Sequence, residues 1–88
     1  MVNNSKINNY ELSWLVDLEG FEAVLLFTYY VNGVIYIYDV FGNLLSELKQ
    51  KSNRLLNVAI NSWASGTYFV KFISNKNEIK YCKFVKVN

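Results

Sequence analysis

The sequence has no proline, no histidine, a single cysteine and only four glycines. Lacking histidine, it has neither the commonest general base near neutral pH nor the commonest metal ligand, and much enzymology is excluded with them. With Cys82 alone no intramolecular disulfide can form, so the core must hold without a covalent staple and the redox compartment is left open. No proline-marked linker, low-complexity stretch or internal repeat divides the chain, which therefore reads as one domain over residues 1–88. Acidic residues are scarce in the second half: residues 48–88 hold eight basic side chains and one acid, Glu78, whereas residues 1–47 hold six acids and Lys6. Such asymmetry marks some nucleic-acid or anionic-lipid surfaces, but solvated strand faces that pair with acids from the other half are the stronger reading. Long apolar runs are also missing. The most apolar stretch, Val24 to Tyr38, is broken by Asn32-Gly33 and falls short of the ~20 residues a spanning helix needs. Residues 1–9 are polar and lack the apolar core of a signal peptide, so the chain is expected to be cytoplasmic or a piece of a longer precursor.

What is present is apolar and aromatic. A hydrophobic fraction of 52% with six Phe, seven Tyr and two Trp gives a chain that can bury enough surface to offset its lost conformational entropy. The dominant period is two. Tyr10, Leu12, Trp14, Val16 and Leu18 fall on one side of a first strand, and Phe21 to Val31 follows as a run apolar on both faces. Asn32-Gly33 tolerates the positive φ angles of a type I′ turn, which predicts a hairpin with Val34 to Val40 as its return strand. Phe41-Gly42-Asn43 supplies the next turn, Leu44 to Gln50 a strand, and Lys51 to Asn53 a polar loop. Arg54 to Ile60, Thr67 to Ile73 and Glu78 to Val87 complete the set, with a turn around Trp63 and another over Ser74 to Asn77. About seven strands with turns every ten to twelve residues and no helical period predict an all-β antiparallel sandwich, since no connection is long enough for a parallel crossover.

The candidate motifs have structural accounts of their own. Asp39 can accept hydrogen bonds from backbone N–H groups just ahead of it while Gly42 takes a positive φ. Ser65-Gly66-Thr67-Tyr68 allows a sharp entry into a strand, with the Tyr68 ring buried and its hydroxyl on a backbone partner, as in a tyrosine corner. Lys80 and Lys86 share one face of the last strand and Lys83 the other, so the C-terminal lysines form no single stripe. Nucleic-acid binding is disfavoured on that ground, with Tyr81 and Phe84 read as core. The seven carboxylates suggest no paired acid and base, and Cys82, mid-strand and without histidine, reads as an inert thiol. No phosphate loop or metal-ligand spacing appears, so neither cofactor nor metal is expected.

Taken together, Ile37-Tyr-Asp-Val-Phe-Gly-Asn-Leu-Leu45, Trp63-Ala-Ser-Gly-Thr-Tyr-Phe-Val-Lys71 and the terminal Lys83-Phe-Val-Lys-Val-Asn88 resemble the type IX secretion C-terminal sorting domain of Bacteroidota. The resemblance covers Val34 to Asn88. The sequence departs from the family in having no Tyr-Pro-Asn-Pro-like opening and in carrying Asn43 where Arg or Lys is common after the turn glycine. The resemblance implies an immunoglobulin-like sandwich at the end of a larger secreted cargo, recognised by the outer-membrane translocon and in many relatives removed by a sortase-like protease. Under it Asp39, Gly42, Ser65, Gly66, Tyr68, Lys83 and Lys86 become the recognition candidates of a non-catalytic export module. The alternative is an immunoglobulin-like adhesion or carbohydrate-binding module, for which a row of exposed aromatics among Tyr29, Tyr30, Tyr36 and Tyr38 would speak. A homodimer formed by edge pairing of the apolar hairpin is a further expectation.

Overall fold

The computed structural model describes residues 12–16 and 20–87, apart from the side chain of Tyr29. Tyr10 and Leu18 of the expected first strand, and Asn88, lie outside the described residues. The structure is all-β and antiparallel, with five strands: β1 (Leu12–Val16), β2 (Glu22–Tyr38), β3 (Leu44–Ala59), β4 (Gly66–Ser74) and β5 (Ile79–Lys86). β2 is the organising strand. β3 runs along one of its edges from Glu22↔Ala59 to Tyr38↔Leu44. The other edge is shared, by β1 beside Ala23 to Phe27 and by β4 beside Gly33 to Tyr38, and β5 then pairs with β4. The sheet coils back on itself until β1 packs on β5, with the Trp14 and Phe84 ring centroids 6.0 Å apart.

The predicted sandwich is present and all seven expected segments are in strands, but they form five strands rather than about seven. The expected hairpin at Asn32-Gly33 does not form, because β2 passes straight through the dipeptide. Nor is Lys51 to Asn53 a loop between separate strands: β3 is continuous across it, with an irregularity at Ser52, whose φ is +47°. These two places face each other and act as a corner. Between Leu26 and Val31 the β2–β3 register slips, four residues of β2 standing opposite Arg54 alone, and a second slip follows before Gly33. Bulges of this kind sharpen twist and bend a strand, carrying both long strands from one layer to the other.

Side-chain and backbone bonds hold the corner. The Asn32 side-chain oxygen accepts the Ser52 N–H at 3.0 Å, and its backbone carbonyl accepts Asn75 N–H at 3.0 Å. Buried Gln50 donates to the Asn53 carbonyl at 3.0 Å. Gly33 is required here for lack of room, not for a turn. A Cβ at this position would sit 2.3 Å from the Ile73 carbonyl oxygen and 2.7 Å from the Phe72 ring.

The core follows from the period of two. Ala23, Leu25, Phe27, Val31, Ile35 and Ile37 of β2 all point inward, where they meet Val58, Ile60, Tyr68, Val70, Phe72 and Phe84. Phe27 and Phe72 make an edge-to-face contact at 4.9 Å between the layers. As the central strand, paired along both edges, β2 is shielded from the aggregation that so apolar a segment would otherwise invite.

Candidate recognition surface

The three sequence motifs meet at one end of the sandwich. At the β2–β3 turn the Asp39 carboxylate accepts the N–H groups of Phe41 and Asn43, each at 2.9 Å, and the Asn43 side-chain amide at 3.0 Å. Backbone bonds from Asp39 N–H to the Asn43 carbonyl and from Gly42 N–H to the Asp39 carbonyl close the loop. Gly42 sits at φ +85°, as the turn demands. Asn43 lacks the charge common at this position in the family, yet it completes the turn as a donor. These bonds, that of the Asn43 side chain foremost, hold the Asp39 carboxyl below the ordinary carboxylate value.

The second motif lies alongside, because Tyr38 pairs with Phe69. Gly66 enters β4 at φ +146°, a region that residues with a Cβ rarely adopt. The buried Tyr68 donates its hydroxyl to the Ala64 carbonyl, the corner expected from the sequence. Burial raises the Tyr68 phenol above its ordinary value, and the negative charge of Asp39 adds to the effect. Its ring lies with those of Trp63 and Phe84 in a cluster with centroids 5.0–6.5 Å apart. The third motif closes the group. Gly66 pairs with Lys86, whose ammonium donates to the Trp63 carbonyl at 2.9 Å although the residue is only 5% exposed. The turn around Trp63 is thus clasped from two strands.

Residues 21–87 match the secretion system C-terminal sorting domain family, which extends the likeness past Val34 to the whole of β2. The chain belongs to that family. No curated protein matches the sequence. The sorting domain is therefore the C-terminal signal by which type IX secretion exports an attached cargo, as part of a longer precursor. No helix among the described residues is long and apolar enough to cross a membrane.

Within the sorting domain the candidate residues divide. Asp39, Gly42, Gly66, Tyr68 and Lys86 are brought together, all five in hydrogen bonds or pairings that build the end of the sandwich, with Ser65 exposed beside them. Lys83 stands apart on the outer face, exposed and paired with Phe69. That outer face was not expected. Tyr81, read from the sequence as core, is 71% exposed, because β5 buries Phe84 and Lys86 and so turns Ile79, Tyr81, Lys83 and Val85 outward. Register aligns these side chains in rows across the sheet: Leu44, Tyr38, Phe69, Lys83; then Glu47, Tyr36, Lys71, Tyr81; then Lys49, Val34, Ile73, Ile79. The Lys71 ammonium lies 5.7 Å and 5.8 Å from the ring centroids of Tyr36 and Tyr38. At the turn tip Val40 and the 86% exposed Phe41 continue the apolar surface.

Tyr30 belongs elsewhere, in an open groove of about 320 Å³ at the corner with Leu26, Phe27, Asn53, Arg54 and Leu55. Arg54 lies over the Tyr30 ring and donates Nε–H to the Phe27 carbonyl at 3.3 Å. Cys82 is half-buried in β5, and burial pushes its thiol up to about 11, the direction of an unreactive cysteine.

Proposed function

We propose that the sorting domain is read by the type IX machinery through the outer face of β2, β4 and β5 together with the Phe41 tip, and that it takes part in no bond chemistry. The outer face carries the proposal: Phe69, Ile79, Tyr81 and Val85 are 44–71% exposed on the paired strands β4 and β5, interleaved with Lys71 and Lys83. An apolar patch of this kind, rimmed by charge, marks an interaction site more often than a solvent face. The hydrogen-bonded end built by Asp39, Tyr68 and Lys86 supports that surface by fixing the register of β4 and β5. In this reading the cargo is joined upstream of β1, the outer-membrane translocon is the partner, and a sortase-like protease acts upstream of the domain to release the cargo at the cell surface. The dimer expected through the apolar hairpin has no free edge there, because β2 is paired on both sides; among the described residues an edge left for a second copy is that of β3.

A carbohydrate platform is the competing use of the same aromatics. It is disfavoured because the Lys71 ammonium already lies against Tyr36 and Tyr38, the rings a sugar would stack on. The test is a fusion of residues 1–88 to a periplasm-directed fluorescent protein in a bacterium with a working type IX system. The reporter should reach the medium or the cell surface, and Phe69→Ser with Tyr81→Ser should trap it in the periplasm without lowering the melting temperature. Undiminished export by that folded double variant would refute the assigned face.

A further inference from the structure

Among the described residues β3 is a sheet edge: it pairs with β2 alone, and no other described strand lies along its far side. Such an edge is a template for another strand unless something guards it. Its regular part is short. The β2–β3 ladder is uninterrupted from Ile37↔Ser46 to Gly33↔Gln50, with an extra residue, Leu45, on one side and the Lys51-Ser52 irregularity on the other. The centre of that window is Leu48, and the exposed residues flanking it are Glu47 and Lys49.

We infer that this edge takes a second copy of the same chain, the two β3 strands running antiparallel about a two-fold axis at Leu48. In that register Glu47 of each copy faces Lys49 of the partner, Ser46 faces Gln50, and Leu48 faces itself. Directly opposed side chains stand about 4.5–5.5 Å apart between Cβ atoms, close enough for both ion pairs. The neighbouring registers of the same facing are worse: moving the axis to Lys49 sets that lysine against its own copy and leaves Glu47 to face Lys51, which lies outside the regular ladder beside the Ser52 irregularity, and moving it to Glu47 sets carboxylate against carboxylate. Sequence and bulges therefore select one pairing, and a two-fold contact needs only such self-complementarity. The outer layers of the two copies become one sheet. Because five residues a side make a small interface, association is weak and concentration-dependent.

Sedimentation equilibrium of the purified chain over a rising concentration series should show the mean mass climbing toward twice that of the monomer. Lys49→Glu, which opposes carboxylates at both ends of the axis, should hold the protein at monomer mass with an unchanged melting temperature. The double variant Glu47→Lys, Lys49→Glu restores both pairs with their signs exchanged and should dimerise again. A wild type that stays monomeric at the highest concentration would overturn the inference, since the edge would then be left open or reserved for another protein's strand. Dimerisation of Lys49→Glu, or failure of the folded double variant to recover, would overturn it too. None of these readouts involves secretion, so the outcome is separate from that of the export test.

Discussion

At the residue scale, polar side chains that look like recognition charges are mostly holding the backbone. Asp39 gathers three donors, and the ionised form is the one they favour, so its native pKa lies below the ordinary 3.8. The stabilisation is accordingly complete above the unfolded-state pKa and disappears as the pH falls through the lower native value. Asp39→Ala should lower the melting temperature by a roughly constant amount from neutral pH down to about 4, and the gap to wild type should close in more acid solution. Calorimetric scans at several pH values would check this, and a gap that does not narrow at all as the pH falls below about 4 would contradict it. Lys86 is the sharper case. The sequence correctly placed it on the face opposite Lys83, but alternation alone cannot tell a solvated lysine from one whose ammonium reaches the Trp63 carbonyl. Losing that charged donor leaves a partly buried carbonyl without it, so Lys86→Met should destabilise the domain by about 1–3 kcal/mol in urea titration. Lys83→Met, on the outer face, should be nearly silent, within about 0.5 kcal/mol.

At the scale of elements, the informative error is the hairpin at Asn32-Gly33. A two-residue turn would pair Val31 with Val34 and place Val34, Tyr36 and Tyr38 on the core side. A continuous strand places Ile35 and Ile37 there instead. Both sets are apolar, so the hydrophobic pattern fits either path, and the turn chemistry of Asn-Gly tips a local reading toward the hairpin. What decides is tertiary: Ile73 and Phe72 of β4 lie against Gly33, and Ser52 is tied to Asn32. The Asp39–Gly42 turn and the Tyr68 corner were legible because each is built from residues within four positions of one another. The outer face was not, since it is assembled from four strands by register. The two paths predict opposite responses at Gly33. A type I′ turn tolerates asparagine well, whereas a site with no room for a Cβ is harmed more by Gly33→Asn than by Gly33→Ala. The expected cost of Gly33→Ala is about 1–3 kcal/mol, the usual range for overpacking, and asparagine should exceed it. Equal or better stability of the asparagine variant in chemical denaturation would restore the hairpin.

At the scale of the whole molecule, the question is whether export reads a short terminal peptide or a folded surface. The structure separates the two because the last strand does both jobs: β5 ends in the Lys83 to Lys86 motif, and it also supplies Phe84 to the core and Lys86 to the Trp63 turn. A distant core mutation can remove the fold and leave that terminal peptide untouched. Ile37 is fully buried in the strand that pairs with β1, β3 and β4. An unpaired carboxylate there costs several kcal/mol, against a total stability for small domains of about 5–15 kcal/mol. Ile37→Asp should therefore abolish the cooperative unfolding transition, while Phe69→Asp, on the outer face of β4, should keep it. If the machinery reads a surface, the unfolded Ile37→Asp fusion stays in the periplasm despite its intact terminus, and folded Phe69→Asp fails to be exported for the separate reason that its contact is spoiled. Export of Ile37→Asp at the wild-type level would show that the terminal peptide suffices, and would make the sandwich a carrier of the signal instead of the signal itself.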